Sequence, residues 1–217
     1  MGANIRNIVA LFALAGFVNV PSRSLADVII QPAGVSTTAV QFRPISNSID
    51  QIGIVDILTG DPAPYISGVT DFGTYVPSTR GAGSGTQWLS DLALPKLVTF
   101  DLGSMWPING FAVWLDFGPL PNGIKDFELF ADTDNNFTNG GTIALGNFTA
   151  APVRDGQSFL FSTTSTQFVH LNITSELGGV DVTVGDFAFS AVPEPSSFFF
   201  VGLIGLCAGA IRYWRKR

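Results

Sequence analysis

From about residue 97 to residue 190 the chain keeps placing apolar side chains at every second position. The segments LVTFDLG (97–103), NGFAVWLDF (109–117), KDFELFADT (125–133), SFLFST (158–163), QFVHLNIT (167–174) and VDVTVGDFAFS (180–190) all show it. A period of two puts one row of side chains in a core and the other in water, which is the mark of a half-buried strand. PLPNG (119–123), NNFTNGG (135–141) and LGG (177–179) punctuate these runs as turns. No ten-residue window between Asp27 and Val192 carries a 3.6-residue apolar stripe. The expected fold is therefore all-β, an antiparallel jelly-roll β-sandwich. Residues 60–87 (GDPAPYISGVTDFGTYVPSTRGAGSGTQ) fit no strand; so long a connection is either a functional loop or a disordered one.

Charge and cysteine exclude several classes of function. Of the eleven basic residues, Arg6 and Arg23 precede Asp27, while Arg212, Arg215, Lys216 and Arg217 lie near the C-terminus. Asp27 to Glu194 thus holds five basic residues against all seventeen acids, a net charge of −12. Such a body repels nucleic acid and anionic lipid at long range and suits cations or neutral sugars. The one cysteine, Cys207, lies outside it, so the body has no disulfide, and with one histidine it has no Cys/His metal site. A body of this length can hold itself together by its core.

The two ends read as targeting segments. Residues 1–26 have the basic Arg6, an apolar stretch from Ile8 to about Val20, and Ser24-Leu25-Ala26, with small residues placed for a signal peptidase cut after Ala26. Residues 192–217 run VPEPSSFFFVGLIGLCAGAIRYWRKR. Phe198 to Ile211 is 14 uncharged residues, about 21 Å of helix against a hydrocarbon core of about 30 Å. Arg212, Tyr213 and Trp214 can extend the span to residue 214 by snorkelling and by lying at the interface. The basic end, 215–217, would stay cytoplasmic, leaving the body outside.

Two families share these patterns. WLSD (88–91), VTFDLGSMWPINGFAVW (98–114), GIKDFELFADTD (123–134) and QFVHLNITSELGGVDVTVGDFAFS (167–190) together resemble the discoidin or coagulation-factor type C domain. The resemblance covers roughly Tyr65 to Ser190 and implies an eight-stranded, galactose-binding-like jelly roll for residues 27–191. The C-terminal segment resembles the PEP-CTERM sorting signal of Gram-negative bacteria that make extracellular polysaccharide. Its motif spans 192–196 with Pro193, Glu194 and Pro195 at the centre, followed by a single transmembrane helix (198–214) and the basic end. That resemblance implies an exosortase as a partner at the inner membrane, after the signal peptidase and the secretion translocon; a permanent single-span anchor is the alternative. Cys207 receives no chemistry.

Several residues are candidates for a site. His170 could serve a Ser-His-Asp hydrolase, but it falls on the expected outer face of its strand and no nucleophile elbow accompanies it. Asp132, Asp134 and Asn136 alternate like calcium ligands, yet Phe137 and Ile143 stand where an EF-hand loop needs Gly and Glu. A turn built on Asp and Asn is the better account. The discoidin resemblance implies a structural Ca2+ between an acid on the last strand, here Asp186, and a loop acid, for which Asp71 can stand. For stacking against sugar rings, Tyr65, Tyr75, Trp106 and Trp114 are candidates because they lie in or near expected loops. Trp106 is expected exposed, Trp114 is either core or outward-facing, and packing is the leading role for any one of them.

These features point to an exported, non-enzymatic surface or extracellular-matrix protein that binds or scaffolds extracellular polysaccharide. A structural protein without glycan affinity and a polysaccharide hydrolase are the alternatives. The hydrolase needs a pair of carboxylates across a cleft that the sequence does not identify. If the tail is a sorting signal, Glu194→Ala should abolish tail processing and release into the medium, read by immunoblot and intact mass. Unchanged processing would refute the sorting reading.

Overall fold

The computed structural model describes residues 26–82, 85–115 and 122–193. Twelve strands form: β1 (Val28–Ile30), β2 (Gly34–Thr37), β3 (Gln41–Arg43), β4 (Ile54–Asp56), β5 (Thr79–Gly81), β6 (Trp88–Ser90), β7 (Lys96–Trp114), β8 (Asp126–Asp132), β9 (Ile143–Thr149), β10 (Gln157–Ile173), β11 (Val182–Val184) and β12 (Asp186–Ala191). The antiparallel β-sandwich is the architecture expected from the alternation. The short strands β1 to β6 lie outside the expected runs, and from residue 97 on the boundaries change. The runs 97–103 and 109–117 fuse into β7, and the runs 158–163 and 167–174 fuse into β10. Gly185 divides the run 180–190 into β11 and β12, and β9 has no counterpart among the expected strands.

Seven strands form one antiparallel sheet in the order β1-β12-β7-β10-β8-β9, with β2 also paired to β7. Both long strands run through two layers. Strand β7 pairs with β2 and the second half of β10 over residues 96–101, then with β12 and the first half of β10 over residues 106–114. Between these halves Gly103 takes a left-handed φ of 79°, a conformation that glycine reaches without steric cost. Register shifts in β10 at Leu160/Thr164 and Thr166/Phe168 make the matching bend. As a result the Phe100 and Phe111 rings are 6.4 Å apart, although eleven residues of straight strand would separate them by about 36 Å.

The folded-over sheet encloses the main core. Phe100 lies edge-on to Phe187 at 5.2 Å and to Phe189 at 5.3 Å, and Phe111 lies against Phe127 at 5.7 Å. Val98, Val169, Leu171 and Ile173 come from the first layer, while Trp88, Val182 and Val184 close the core from the three-stranded sheet β11-β6-β3.

The long connection after β3 is ordered. It lays β4, paired with β5, and the single helical turn α1 (Phe72–Tyr75) over the outer face of the β1-β12-β7 layer. Ile54, Tyr65, Phe72 and Val76 pack there on Ile29, Ala112, Trp114 and Ala188, forming a second core. Hydrogen bonds from Ile29 N to Thr70 O (2.9 Å) and from Gly68 N to Ile29 O (2.7 Å) join this cover to β1. That explains why β12 is buried on both faces.

The doubling-back can be tested on Phe100, which is wholly buried and touches both layers. Phe100→Ala should cost about 3–5 kcal/mol in urea denaturation. Val153→Ala, on an exposed side chain, should stay within about 0.5 kcal/mol.

Candidate functional site

One end of the first layer holds a shallow, open cleft of about 750 Å³ lined by Lys125, Thr149, Ala150, Ala151, Pro152, Glu176, Leu177 and Gly178. The start of β8, the end of β9 and the turn after β10 meet there. Asp126 fixes that meeting point: its carboxylate accepts from Ser175 Oγ at 2.5 Å and from Thr149 Oγ1 at 2.7 Å. Its carbonyl accepts from Thr174 N and Ser175 N. Those two hydroxyl bonds, Ser175 first, hold the Asp126 carboxyl below the usual carboxylate range. The Lys125 ammonium is 3.8 Å from Asp126 Oδ2, an exposed pair of little worth for stability. Lys125 and Glu176 both line the cleft, so it carries a cation and a carboxylate.

A second groove of about 260 Å³ adjoins the first and shares Thr149 with it, lined also by Asp126, Glu128, Asn147, Phe148 and Thr174. Asn172 Nδ2 donates to Glu128 Oε2 at 2.9 Å, which fixes that carboxylate. The half-buried Phe148 ring packs on Phe127 at 5.7 Å. Carboxylates, amides, hydroxyls and an ammonium held around an aromatic edge are the groups that read vicinal hydroxyls. Sequence reasoning passed over these residues, because KD reads as the start of a strand and LGG as an ordinary turn until the ladder brings Thr149 and Ser175 to Asp126.

The candidate stacking residues lie elsewhere. Tyr65 is 5% exposed, and its ring packs edge-on to Tyr75 at 5.5 Å. Tyr75, half-buried, packs in turn on Trp114 at 6.1 Å, and its hydroxyl donates to Ala63 O. Trp114 is core, donating from Nε1 to Thr79 Oγ1 at 2.9 Å. These rings take the packing role rather than the stacking one: they are the apolar payload of the cover over the second core. Trp106 is half-buried against the main core rather than exposed.

The expected calcium pair is not brought together as a ligand set. Asp71 Oδ1 accepts from Thr74 N at 2.7 Å and caps α1. Asp186 is fully buried, with Oδ2 accepting from Gln51 N at 2.8 Å and Oδ1 without a partner among the described residues. Its electrostatic neighbours are Asp50, Tyr65 and Tyr75. Among the described residues no group of three or more His, Cys, Asp or Glu side chains is placed to hold a metal ion. Asp71 is thus engaged as a helix cap, while Asp186 keeps one carboxylate oxygen unpartnered in the interior among the described residues.

His170 is buried rather than outward-facing. Thr99 Oγ1 lies 2.9 Å from His170 Nδ1, and His170 Nε2 lies 3.6 Å from Asp132 Oδ2. The order is that of a hydrolase triad, but the Phe137 ring lies 5.3 Å from the imidazole. Strand neighbours on both sides of Thr99, Ser36 and His170, occupy the backbone that would supply oxyanion donors. The chain of contacts ties the sheet to the loop 133–141, where Asn136 N donates to Asp134 Oδ1 and Thr138 N to Asn136 Oδ1, the expected Asp/Asn turn. Burial pushes the imidazole below its ordinary value, against the opposing pull of Asp132.

Of the targeting residues, Ala26 is exposed and Pro193 half-buried. Glu194, Pro195, Cys207 and the expected span 198–214 lie outside the described residues. Among the described residues no helix is long and apolar enough to cross a membrane.

Burial pushes the Asp186 carboxyl well above the usual carboxylate range; the Gln51 N–H opposes this and Asp50 adds to it. The folded state therefore holds this proton more tightly than the unfolded chain. The resulting stability is full below the unfolded value and is lost as pH rises through the folded one. Asp186→Asn should flatten that decline and raise the urea midpoint at neutral pH relative to wild type, measured across pH 4–8. A lower midpoint at every pH would refute this account of the buried acid.

The architecture is shared with solved carbohydrate-binding modules of family 32. The module from C. perfringens NanJ, solved in complex with galactose, matches with a TM-score of 0.51 at 14% identity, covering 76% of this chain and 98% of that one. CBM32-3 from a family 31 glycoside hydrolase of Clostridium perfringens matches at 0.51 and 14% identity, covering 76% and 95%. Truncated AlyQ, with CBM32 and alginate lyase domains, matches at 0.52 and 13% identity, covering 78% of this chain and 34% of that one. No family profile matches the chain, and no curated protein matches it. The fold is an antiparallel β-sandwich resembling the jelly rolls of family 32 carbohydrate-binding modules.

Proposed function

We propose that this is an exported, non-enzymatic glycan-binding protein that holds extracellular polysaccharide at the cell surface or in the matrix. The observation that carries the reading is the cleft at Lys125, Thr149 and Glu176, with its adjoining groove at Glu128 and Asn147, on a sandwich of this architecture. Opposed charges and fixed hydroxyls suit a neutral sugar, whose hydroxyls both donate and accept. A shallow site of this kind binds one residue of a polymer weakly and gains by repetition along it. The matched modules, one solved with galactose and another belonging to a glycoside hydrolase, support a binding role.

The tail supports delivery to the surface. Pro193-Glu194-Pro195 and the apolar run that follows suit recognition by an exosortase, after export through the translocon and signal peptidase cleavage at Ala26. The final location is then the cell surface or extracellular matrix.

The test is co-sedimentation of the full chain with the host's purified extracellular polysaccharide, together with calorimetric titration of galactose. Binding is expected, and Lys125→Ala and Glu176→Gln should each weaken it about tenfold, or about 1.4 kcal/mol, with unchanged urea midpoints. No binding to either probe would leave a structural surface protein. Binding unaffected by both variants would move the site off the cleft.

A further inference from the structure

Strand β1 runs antiparallel to β12 with Val28 opposite Ala191, so the described chain begins and ends at one place. Val192 N donates to Pro107 O at 2.9 Å, and Asn109 Nδ2 donates to Asp27 Oδ2 at 2.7 Å. Both ends therefore leave the body beside the bend of β7. Opposite that bend Thr164, Ser165 and Thr166 of β10 pair with Ile108, Pro107 and Trp106.

This end differs in chemistry from the rest of the body. No Asp, Glu, Lys or Arg occurs from Leu102 to Leu115 or from Gly156 to Ser175, in a region carrying −12. Met105 is 51% exposed and Leu160 is 68% exposed; Ser104, Ser162, Thr163 and Ser165 are exposed hydroxyls between them. The nearby carboxylates are already engaged: beside Thr166, Asp132 Oδ1 accepts from Thr133 N and Asp134 N, and Asp134 accepts from Asn136 N and Asn139 Nδ2. Asp101 accepts from Gly103 N and Gln167 Nε2, and Asp27 accepts from Asn109. Apolar side chains among neutral hydroxyls can approach lipid headgroups without desolvating a charge.

Chain length then restricts where this end can go. Four residues, Glu194 to Ser197, separate Pro193 from the apolar run that starts at Phe198. Fully extended, the step from Pro193 to Phe198 covers no more than about 18 Å. A body held that closely to a bilayer must present some surface to it, and the uncharged end is where the tether emerges. The cleft lies at the other end of the same ladder. Lys96, Ile173 and Phe127 pair across its rows there, against Trp106 and Thr166 at the bend, seven residues or about 23 Å of strand away.

We propose that the uncharged bend formed by Met105–Pro107 and Leu160–Thr166 is a membrane-resting face that lies on phospholipid headgroups while the tail is in the bilayer, and so points the cleft outward. This rests on the reading of the tail as a membrane segment, and the experiment separates the two. The full chain carries Cys207→Ser, and one cysteine is introduced at Met105 or, at the cleft end, at the 62%-exposed Val180. Each is labelled with a polarity-sensitive fluorophore and reconstituted into phosphatidylcholine–phosphatidylglycerol vesicles. Flotation with the vesicles reports the tail. Quenching by headgroup-nitroxide lipid reports the face, and an approximately twofold loss of emission for Met105→Cys but not Val180→Cys is expected for a residue at the headgroup level. Flotation with equal, water-like emission at both positions overturns the face while keeping the tail. Failure to float overturns both.

Discussion

The doubling-back of β7 on itself is the constraint on which the rest of this structure depends. A strand of 19 residues is too long for one layer of a small sandwich, and the chain uses the excess by bending at Gly103. Phe100 then meets Phe111, Phe187 and Phe189 across the core. Because β10 bends in the same place, the ladder between the two strands survives the turn, and both layers remain parts of one sheet. No disulfide supports this in the body, and the packing of large aromatic side chains takes that part.

The second core follows from the first. Bringing β12 to the centre of its layer exposes Ala188 and its neighbours Ile29, Ala112 and Trp114 on the outer side, an apolar surface that would otherwise face water. The connection 49–81 covers it with Ile54, Tyr65, Phe72 and Val76. Close approach sets its course. A Cβ on Gly156 would lie 2.3 Å from Val76 O and 2.6 Å from Trp114 Nε1, and one on Gly53 would lie 2.8 Å from Gly185 O. Asp186, buried beside Tyr65 and Tyr75, is the polar cost of this closure.

How much of this the sequence disclosed depends on whether a residue's partners are near in sequence. Strand alternation is local, so the β class and the strands β7, β8, β10, β11 and β12 could be read directly, as could the Asp/Asn turn at 134–138, whereas the short strands β1 to β6 and β9 show no such run. What escaped was long-range. Nothing in SMWPING announces that it is a bend within one strand rather than a turn between two, since its effect depends on β10 bending opposite. Tyr65 and Tyr75 sit among Gly, Pro and Thr, which reads as exposed loop, and only the bare face of β12 explains their burial. His170 alternates with Val169 and Leu171 and so falls on the outer side, yet Phe137 from a separate turn covers it. The cleft was missed for the same reason: Lys125, Thr149 and Glu176 become neighbours only through the pairing of β8 with β9 and the Asp126 contacts to Thr149 and Ser175.

The distribution of charge then follows from the ladder. Acids concentrate where strands end in turns, because Asp and Asn satisfy turn backbone there, while the two long strands that carry both layers have no room for charge in their middles. The bend of the two long strands is thereby left without charged side chains of its own, and the acids around it, Asp27, Asp101 and Asp132, are held in hydrogen bonds. The chain enters and leaves beside this bend because β1 and β12 are antiparallel neighbours. If the tail anchors the chain as proposed above, that topology sets which end faces the membrane and which faces outward. A shallow cleft gains affinity through repetition rather than depth, which matches a site built from surface hydroxyls and one exposed ion pair.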